Sequence, residues 1–288
     1  MEEELMEARP RARTFPTHGE EGFEGMRAAG RLAAQCLDMI AGEVKPGVET
    51  ANLDRLAYEF IRDHGALPAT VGYRGYRHSL CISPNHVICH GIPGGKPVNG
   101  KPMRDGDIAN IDVTVIIDGW HGDTSRMYFV GEPSVKAKRL VDVTFEALWK
   151  GIEVVRPGAT LREVGRAIQT HAEGAGFSVV RDFCGHGLGQ KFHIPPNVVH
   201  YAEYKDHMGN RHMAPATELV QGMFFTIEPM INVGKPDVRM LKDGWTAVTR
   251  DKSLTAQFEH SIGVTADGYE IFTRSPKGLD RPPYAAAG

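Results

Sequence analysis

The sequence predicts an α+β protein made of two similar halves, and three observations lead to this prediction. Four segments carry apolar residues at helical spacing, and they fall into two pairs. A shift of 111 residues places Lys45-Pro46-Gly47 of the first pair on Arg156-Pro157-Gly158 of the second without a gap. Strand-like segments that end in glycine-containing turns follow each pair. This order favours two α+β halves related by a pseudo-twofold axis.

The first helix of each pair is predicted from apolar spacing and from its end signal. One helix covers residues around 22–43, and Lys45-Pro46-Gly47 stops it. The other begins at Ser134, runs to about Val155 and is closed by Arg156-Pro157-Gly158. Because proline-glycine is a common helix stop, chance recurrence is the alternative to an internal duplication.

The second helix of each pair is predicted from its N-terminal cap. Thr50 caps a helix that continues to about His64. Thr160-Leu161-Arg162-Glu163 is a capping box for a helix that ends near Gly174. Both caps precede amphipathic segments, so we expect each helix to pack one apolar face on a core.

Composition limits the function classes. The chain has 288 residues and a net charge of −3, which argues against a protein whose main work is neutralising nucleic-acid phosphates. Its longest apolar runs are far shorter than the roughly 20 residues of a transmembrane helix, and its N-terminus lacks a secretory signal. Four cysteines without a CxxC pair indicate reduced thiols in the cytoplasm. We predict a single domain over 21–280, between flexible tails at 1–20 and 281–288.

A predicted β-hairpin brings two carboxylates together. Asp118-Gly119 is a two-residue turn signal between β-branched runs. With this loop, Thr114 lies opposite Asp123, and Asp112 shares the face of Thr114 because side chains alternate along a strand. Asp112 and Asp123 are therefore diagonal neighbours on one face of the hairpin, and two carboxylates placed in this way repel each other unless a cation lies between them. The alternative is that one or both acids face solvent. Asp112, however, lies among Ile and Val residues, where burial of an unpaired carboxylate would be costly, and this favours a metal.

Three further segments supply matching donors. His186 lies in a glycine-rich loop, Glu228 interrupts an apolar strand just before a proline, and Glu259 lies in another apolar strand. Each of them alone is weak evidence. Together with Asp112 and Asp123, they suit two hard-to-borderline divalent ions better than a structural zinc, which prefers Cys and His.

The combined pattern resembles the bacterial type I methionine aminopeptidases of peptidase family M24, from about residue 22 to about residue 274. The motifs that carry the resemblance are Gly72-Tyr73-Arg74-Gly75-Tyr76, Ser79-Leu80-Cys81-Ile82-Ser83, Asn85, Cys89-His90-Gly91-Ile92-Pro93, Asn110-Ile111-Asp112-Val113, His121-Gly122-Asp123-Thr124-Ser125, Gly185-His186-Gly187, Phe192-His193, Thr226-Ile227-Glu228-Pro229-Met230 and Phe258-Glu259-His260. The resemblance implies the pita-bread fold, with two pseudo-symmetric α+β halves around a dinuclear metal site.

The resemblance also implies an activity and its requirements. It implies a metal-dependent exopeptidase that removes the N-terminal methionine from nascent proteins when the second residue is small and uncharged. Two divalent cations per chain, Co²⁺, Mn²⁺, Fe²⁺ or Zn²⁺, would activate water for attack on the first peptide bond. The implied partners are the N-termini of nascent polypeptides at the ribosome, with no direct nucleic-acid or membrane contact, and a monomer is expected.

The resemblance assigns roles to individual residues. The implied metal ligands are Asp112, Asp123, His186, Glu228 and Glu259, of which Asp123 and Glu259 bridge both ions. The implied catalytic residues are His90, His193 and Glu228, and both histidines also contact substrate. The implied pocket for the methionine side chain consists of Tyr73, Tyr76, Cys81, Phe192 and Trp245. From the residues alone, His193 and the aromatic residues read equally well as parts of the core.

Departures from the family pattern and rival functions complete the expectations. Ile194-Pro195 follows His193 where many relatives carry acidic residues. The segment from Ala202 to Gln221 is read as a surface loop in which His207 and His212 are solvated.

The rival functions are those of a prolidase or aminopeptidase-P relative, a pita-bread binding protein without catalysis, and a structural metal-binding module. Prolidase relatives usually carry an extra N-terminal domain. Binding relatives lose metal ligands, whereas all five are present in this sequence. The two histidines that are not metal ligands, His90 and His193, disfavour a purely structural module.

Overall fold

The computed structural model describes residues 15–95 and 100–284. Its helices are α1 (Glu20–Ala41), α2 (Thr50–Asp63), α3 (Val135–Ile152) and α4 (Leu161–Gly174). Its strands are β1 (Leu67–Pro68), β2 (Leu80–Pro84), β3 (Val87–Cys89), β4 (Ile108–Ile117), β5 (Trp120–Phe129), β6 (Ser178–Val179), β7 (Gly185–Gly187), β8 (Ile194–Val198), β9 (Glu203–Lys205), β10 (Arg211–Met213), β11 (Phe224–Ile227), β12 (Met230–Asn232), β13 (Val238–Met240), β14 (Ala247–Thr249), β15 (Thr255–Gln257), β16 (His260–Val264) and β17 (Tyr269–Ile271). The predicted α+β class is confirmed.

The four predicted helices are present, and two of the three predicted caps are confirmed. The Ser134 hydroxyl accepts the Ala137 N–H at the start of α3. Thr160 and Glu163 form the reciprocal capping box of α4. The prediction for Thr50 is wrong: Glu49 occupies the N-cap position of α2, and the Thr50 hydroxyl accepts the Gly94 N–H instead (2.8 Å).

The predicted repeat holds for the structural elements. A shift of 111 residues carries α2 onto α4 at both ends, the end of α1 onto the end of α3, and β1 onto β6. Gly47 and Gly158 both have left-handed backbone, with φ of +88° and +82°, where a side chain would be strained. The two halves therefore use the same helix–turn–helix–strand plan.

The sheets are antiparallel, and the β4–β5 hairpin has the predicted register. Ile117 pairs with Trp120 next to the Asp118-Gly119 turn, and Thr114 pairs with Asp123. β4 also pairs with β1 and β2. The second half contains a five-stranded sheet in the order β17-β16-β11-β7-β8 and a three-stranded sheet in the order β15-β12-β6.

Each half has its own hydrophobic core. One core includes α1, α2, β2 and β4, and the other includes α3, α4, β11 and β16. Helix α1 crosses β5 at Gly122, where an added Cβ would lie 2.3 Å from the Ala29 carbonyl oxygen. Only glycine permits this close approach, which sets α1 against the hairpin that carries the two aspartates.

A buried ion pair joins α1 to β5. Arg126 Nη1 donates to Asp38 Oδ1 at 2.6 Å, and both side chains are 1% exposed. The Ser275 hydroxyl donates to the same Asp38 oxygen at 2.8 Å. This contact ties the first helix, the central hairpin and the end of the chain together.

The chain ends pack further than predicted. Within the predicted N-terminal tail, the His18 N–H donates to the Gly222 carbonyl (2.9 Å), and its ring stacks on Phe224 at 4.6 Å. Within the predicted C-terminal tail, the Tyr284 hydroxyl donates to the Met127 carbonyl at 2.8 Å. We therefore correct both boundaries at residues 15–20 and 281–284. The remaining tail residues, 1–14 and 285–288, lie outside the described residues.

The predicted surface loop from Ala202 to Gln221 is partly wrong, because it contains the β9–β10 hairpin. Asp206 at its turn accepts hydrogen bonds from the Met208 and Asn210 N–H groups. His212 contacts Asp206 at 3.0 Å and His207 is exposed, so neither lies with the predicted metal ligands. Across the described ranges, no helix combines the length and the apolar character needed to cross a bilayer.

We expect Asp38→Ala to lower the free energy of unfolding by about 3–5 kcal/mol, because it leaves the buried Arg126 guanidinium without its carboxylate. Glu59→Ala, which breaks the exposed Arg55–Glu59 pair, serves as the control and should cost less than about 1 kcal/mol. Urea unfolding followed by circular dichroism measures both. Equal losses in the two variants would contradict the importance of the buried pair.

Candidate metal centre

The β4–β5 hairpin places two aspartates on one face. Asp112 pairs with Ser125 and Thr114 with Asp123, so the two carboxylates are diagonal neighbours across the hairpin. The Thr114 hydroxyl donates to Asp123 Oδ1 at 2.7 Å, which fixes that carboxylate. The predicted placement of this pair is confirmed.

The two glutamates lie where the chain passes from one sheet to another. Glu228 stands between β11 and β12, and Glu259 stands between β15 and β16. β11 and β16 belong to the five-stranded sheet, whereas β12 and β15 belong to the three-stranded sheet. The prediction of two continuous strands is therefore wrong. The break has a use, because residues at such a junction can turn their side chains towards a shared space.

His186 lies in the short strand β7, not in a loop as predicted. Added Cβ atoms at Gly185 and Gly187 would lie 2.3 Å and 2.5 Å from backbone oxygens of neighbouring strands, so the flanking glycines allow close packing. His186 Nδ1 is 3.2 Å from the Gly187 carbonyl oxygen. Its Nε2 lies 3.5 Å from Asp123 Oδ2 and 3.8 Å from Glu228 Oε1. The strand therefore directs one ring nitrogen at the acidic cluster.

All predicted site residues line one cavity of about 310 Å³. The five predicted metal ligands in its wall are Asp112, Asp123, His186, Glu228 and Glu259. The seven predicted substrate-contacting residues in its wall are Tyr73, Tyr76, Cys81, His90, Phe192, His193 and Trp245. The cavity thus combines acidic and aromatic lining residues, and residues from both halves of the repeat contribute to it.

Several lining residues were missed by the sequence analysis. They are Thr70, Arg74, Cys89, Thr114, Asp182, Phe183, Cys184, Met230 and Gln257. Gln257 Nε2 donates to Glu228 Oε2 at 3.2 Å, and the Thr226 hydroxyl donates to Glu228 Oε1 at 2.8 Å. Each of these two residues stands two positions before a predicted ligand, and this spacing is the signal that could have identified them.

A buried histidine, His200, holds the backbone of Glu228 through a hydrogen bond. The Glu228 backbone N–H donates to His200 Nε2 at 3.0 Å. His200 is 0% exposed, and desolvation lowers its pKa to about 3, so the ring is neutral. Because Nε2 accepts, the ring proton sits on Nδ1. Nothing in the sequence singled out this residue.

Burial and mutual repulsion disfavour the charged forms of the acidic cluster. Desolvation, together with the charges of Asp123 and Glu228, raises the pKa of Asp112 well above its usual range. The pKa of Glu259 is raised for the same two reasons. For Glu228, desolvation and Asp123 outweigh the opposing effects of His186 and Thr226 and raise the pKa to about 7. Burial opposes the charge of His186, but contacts with Asp123 and Glu228 raise its pKa.

The donor set fits divalent cations. Ligand atoms of Asp123, His186 and Glu259 all lie within 4.8 Å of one another, and these residues are largely buried. Four carboxylates and one imidazole match the preference of hard-to-borderline divalent ions for oxygen and nitrogen donors. A cation in this position would remove the repulsion that raises the carboxylate pKa values.

Two neutral histidines stand beside the acidic cluster. His90 has left-handed backbone, with φ of +56°, and desolvation lowers its pKa to about 4. His193 stacks against Tyr73 with ring centroids 5.1 Å apart and lies 4.0 Å from the His186 ring. Desolvation and the charge of His186 lower the pKa of His193. Each neutral ring retains one N–H donor at neutral pH.

Another part of the cavity wall is aromatic and contains thiols. The Tyr76 and Trp245 rings meet edge to face at 4.9 Å, and the Tyr76 hydroxyl donates to the Leu80 carbonyl at 2.9 Å. Burial raises the pKa of both Cys81 and Cys89 well above the usual range. Both cysteines are therefore neutral thiols that line an apolar surface, and neither is an activated nucleophile.

Comparison with known proteins identifies a family. Residues 24–266 match the family described as metallopeptidase family M24. The chain is 55% identical to a methionine aminopeptidase of Rickettsia prowazekii over 94% of this chain and all of that protein. It is 51% identical to a methionine aminopeptidase of Escherichia coli strain K12 over 88% of this chain and 91% of that protein.

Solved structures show the same fold. The crystal structure of methionine aminopeptidase from Rickettsia prowazekii matches with a TM-score of 0.84 at 54% identity, covering 90% of this chain and all of that one. A prolidase from Pyrococcus furiosus matches with a TM-score of 0.67 at 19% identity, covering 89% of this chain and 65% of that one. The likeness to the prolidase concerns the fold alone. The predicted pita-bread fold is confirmed.

After removal of divalent metals, we expect the slope of the free energy of unfolding against pH, between about 4.5 and 7, to be more negative in the unaltered protein than in Glu228→Gln. The folded state keeps protons on Asp112, Glu228 and Glu259 that the unfolded chain releases near pH 4, so these groups stabilise the folded state less as pH rises, whereas the buried neutral rings of His90, His193 and His200 contribute the opposite slope in both proteins. Thermal unfolding across this range, with Glu228→Gln as the control, measures the effect. A slope that is unchanged in Glu228→Gln would contradict the contribution of Glu228.

Proposed function

This chain belongs to metallopeptidase family M24 and, within it, to the methionine aminopeptidases, and from this premise we propose that it removes the N-terminal methionine of nascent polypeptides whose second residue is small and uncharged. The observation that carries the proposal is the single cavity, in which five metal-binding side chains adjoin an aromatic, thiol-containing pocket. One end suits peptide-bond hydrolysis and the other suits an apolar thioether side chain.

Asp112, Asp123, His186, Glu228 and Glu259 would hold two divalent cations of the Co²⁺, Mn²⁺, Fe²⁺ or Zn²⁺ type. When bound, such cations lower the pKa of water towards neutrality and withdraw electron density from a peptide carbonyl. The charge of Asp123 raises the pKa of Asp112, Glu228 and Glu259, which supports a central position for Asp123 in the cluster. Asp123 and Glu259 would help to hold both cations, and the other three residues would each help to hold one.

Glu228 is our candidate to accept the proton of the attacking water. Its carboxylate lies in the wall of the cavity beside the other proposed metal ligands, where the attacking water would be held. Thr226 and Gln257 each hold one of its carboxylate oxygens, and His200 holds its backbone N–H. These contacts fix the direction of the carboxylate, which reduces the reorganisation needed at the transition state.

His193 and His90 would serve the carbonyl oxygen and the leaving nitrogen, respectively. Their lowered pKa values keep both rings neutral, so each retains one N–H donor and one acceptor nitrogen. The N–H of His193 would stabilise the negative charge that develops on the carbonyl oxygen. His90, on the turn after β3, would contact the scissile amide and assist departure of the new amine.

The aromatic end of the cavity supports selection of methionine. Tyr73, Phe192 and Trp245 offer ring faces and edges, and Cys81 offers a neutral sulfur. Burial of a methionine side chain against such surfaces is worth roughly 1.5–3 kcal/mol. The free α-amine of the substrate would lie at the acidic end, which favours removal of a terminal residue over cleavage within a chain.

The cellular setting follows from the substrate. Nascent polypeptides present their N-terminal methionine at the ribosome, so we propose that the enzyme works there, in the cytoplasm and as a monomer. Prolidase activity is the alternative within the same fold. The identity to methionine aminopeptidases, at 51–55%, favours the proposal over this alternative.

The deciding experiment is hydrolysis of a peptide panel by metal-loaded protein, with the released amino acid identified. We expect cleavage of Met-Ala-Ser, slower cleavage of the norleucine analogue, and no release of N-terminal Lys or Glu. We expect kcat/KM for Met-Lys-Ser to be at least about tenfold lower than for Met-Ala-Ser. Preferred cleavage of Ala-Pro peptides would indicate a prolidase instead, and activity that survives complete chelation would refute the metal requirement.

Asp123→Ala should cost more activity than Asp112→Ala, because we assign Asp123 to both cations and Asp112 to one. The measurements are kcat/KM for Met-Ala-Ser and metal stoichiometry by calorimetric titration. We expect the Asp123 variant to lose two tight sites and the Asp112 variant to keep one. If the Asp123 variant retains two tight sites, the bridging assignment is wrong.

A further inference from the structure

An open groove lies between α3 and α4 in the second half. Its volume is about 860 Å³, and none of its lining residues lines the metal-centre cavity. The lining residues are Lys150, Val154, Arg156, Glu163, Arg166, Ala167, Thr170, His171, Gly174 and Ala175. The proposed reaction therefore leaves this groove without a role.

The repeat shows how the groove arises. At the equivalent positions, 111 residues earlier, the first half has three large apolar residues, Met39, Leu56 and Phe60. These side chains are half-buried and pack on the core of the first half. The second half has Lys150, Ala167 and His171 there instead. Smaller or more polar side chains thus leave open the space that the first half fills.

The same comparison shows an excess of positive charge in the groove, where Arg156 and Arg166 share one carboxylate, Glu163. In the first half, Arg55 pairs with Glu59 at 2.8 Å. The equivalent residues of the second half are Arg166 and Thr170, so Arg166 lacks the acidic neighbour that Arg55 has. The single carboxylate in the lining, Glu163, accepts hydrogen bonds from Thr160 in the capping box, and the nearby charges of Arg156 and Arg166 also lower its pKa, so one carboxylate balances two arginines.

The other charged side chains of the lining differ in whether they already contact a carboxylate. Lys150 contacts Glu153 at 3.2 Å, and His171 contacts Glu146 at 3.0 Å. Arg156 is exposed, and its guanidinium reaches only the Val154 carbonyl, at 3.5 Å, among the hydrogen bonds of the described residues. Arg156 and Arg166 are therefore the cations that a ligand would meet.

We propose that this groove binds an acidic polypeptide segment that carries a bulky apolar side chain. The first half indicates what completes the surface: leucine and phenylalanine fill the floor, and glutamate meets the arginine. A partner segment with this chemistry would place its apolar side chain over Ala167 and its carboxylates at Arg156 and Arg166. A nucleic acid offers phosphates for the arginines but no aliphatic group for the floor, so a polypeptide is favoured.

The test uses a fluorescent, N-acetylated peptide, Glu-Glu-Leu-Phe-Glu-Glu, titrated with the full chain in fluorescence anisotropy. We expect saturable binding that weakens with salt. Two control peptides separate the contributions: one with Lys in place of every Glu, and one with Gly-Gly in place of Leu-Phe. Neither control should bind comparably. The acetyl group prevents the peptides from being aminopeptidase substrates.

The repeat supplies matched variants. Arg166→Glu should weaken binding at least about tenfold, because it reverses a charge in the groove, whereas Arg55→Glu, at the equivalent position of the first half, should change it less than about twofold. The double variant Ala167→Leu/His171→Phe restores the filling of the first half and should abolish binding. Thermal unfolding checks that each variant folds, and cleavage of Met-Ala-Ser should be unchanged in all three.

Four outcomes would overturn the proposal. They are no binding up to about 1 mM peptide, equal losses in Arg166→Glu and Arg55→Glu, binding that survives filling of the groove, and equal binding of the Gly-Gly peptide. Displacement of the peptide by a short RNA that itself binds more tightly would assign the groove to nucleic acid instead. Because the variants lie outside the metal-centre cavity, failure here leaves the proposed hydrolase activity unaffected, and the converse also holds.

Discussion

Four carboxylates that converge in a mostly buried space impose the main constraint on this molecule. At an effective dielectric constant of about 20, two like charges about 4 Å apart repel each other by about 4 kcal/mol. The side chains of Asp123 and Glu228 are only 5% and 13% exposed, so water screens this repulsion poorly. A fold that keeps such a cluster must hold it with rigid elements and must neutralise it, by protonation of the carboxylates in the metal-free protein or by a bound cation.

The surrounding structure supplies that rigidity from several directions. The β4–β5 hairpin fixes the two aspartates, and α1 presses on it through the contact at Gly122. The sheet junctions fix the two glutamates, and β7 fixes His186. Hydrogen bonds from Thr114, Thr226 and Gln257 then orient individual carboxylate oxygens. The site therefore depends on elements of both halves.

Much of this arrangement could be predicted from local sequence signals. The Asp118-Gly119 turn determines the hairpin register, because a two-residue loop leaves one pairing of the flanking strands. The capping box of α4 is equally local, and the 111-residue shift was found by comparing two local helix-stop signals. The sheet junctions at Glu228 and Glu259 could not be predicted, because a continuous apolar run does not show where a chain changes partner. His200 was also missed, since a buried histidine that accepts a backbone N–H leaves no trace in periodicity.

The ion pair of Arg126 with Asp38 has a consequence for the order in which the chain can assemble during synthesis. Asp38 and Arg126 are separated by 88 residues, so they can meet while the second half is still being made. Ser275, which donates to the same carboxylate, lies 237 residues from it and is synthesised long after it. The proposed donors of the metal centre are also synthesised at different times, with Asp112 early and Glu259 late. Until Glu259 has been synthesised, the proposed metal site lacks one of its five side chains, so this site can be completed only after most of the second half has been made.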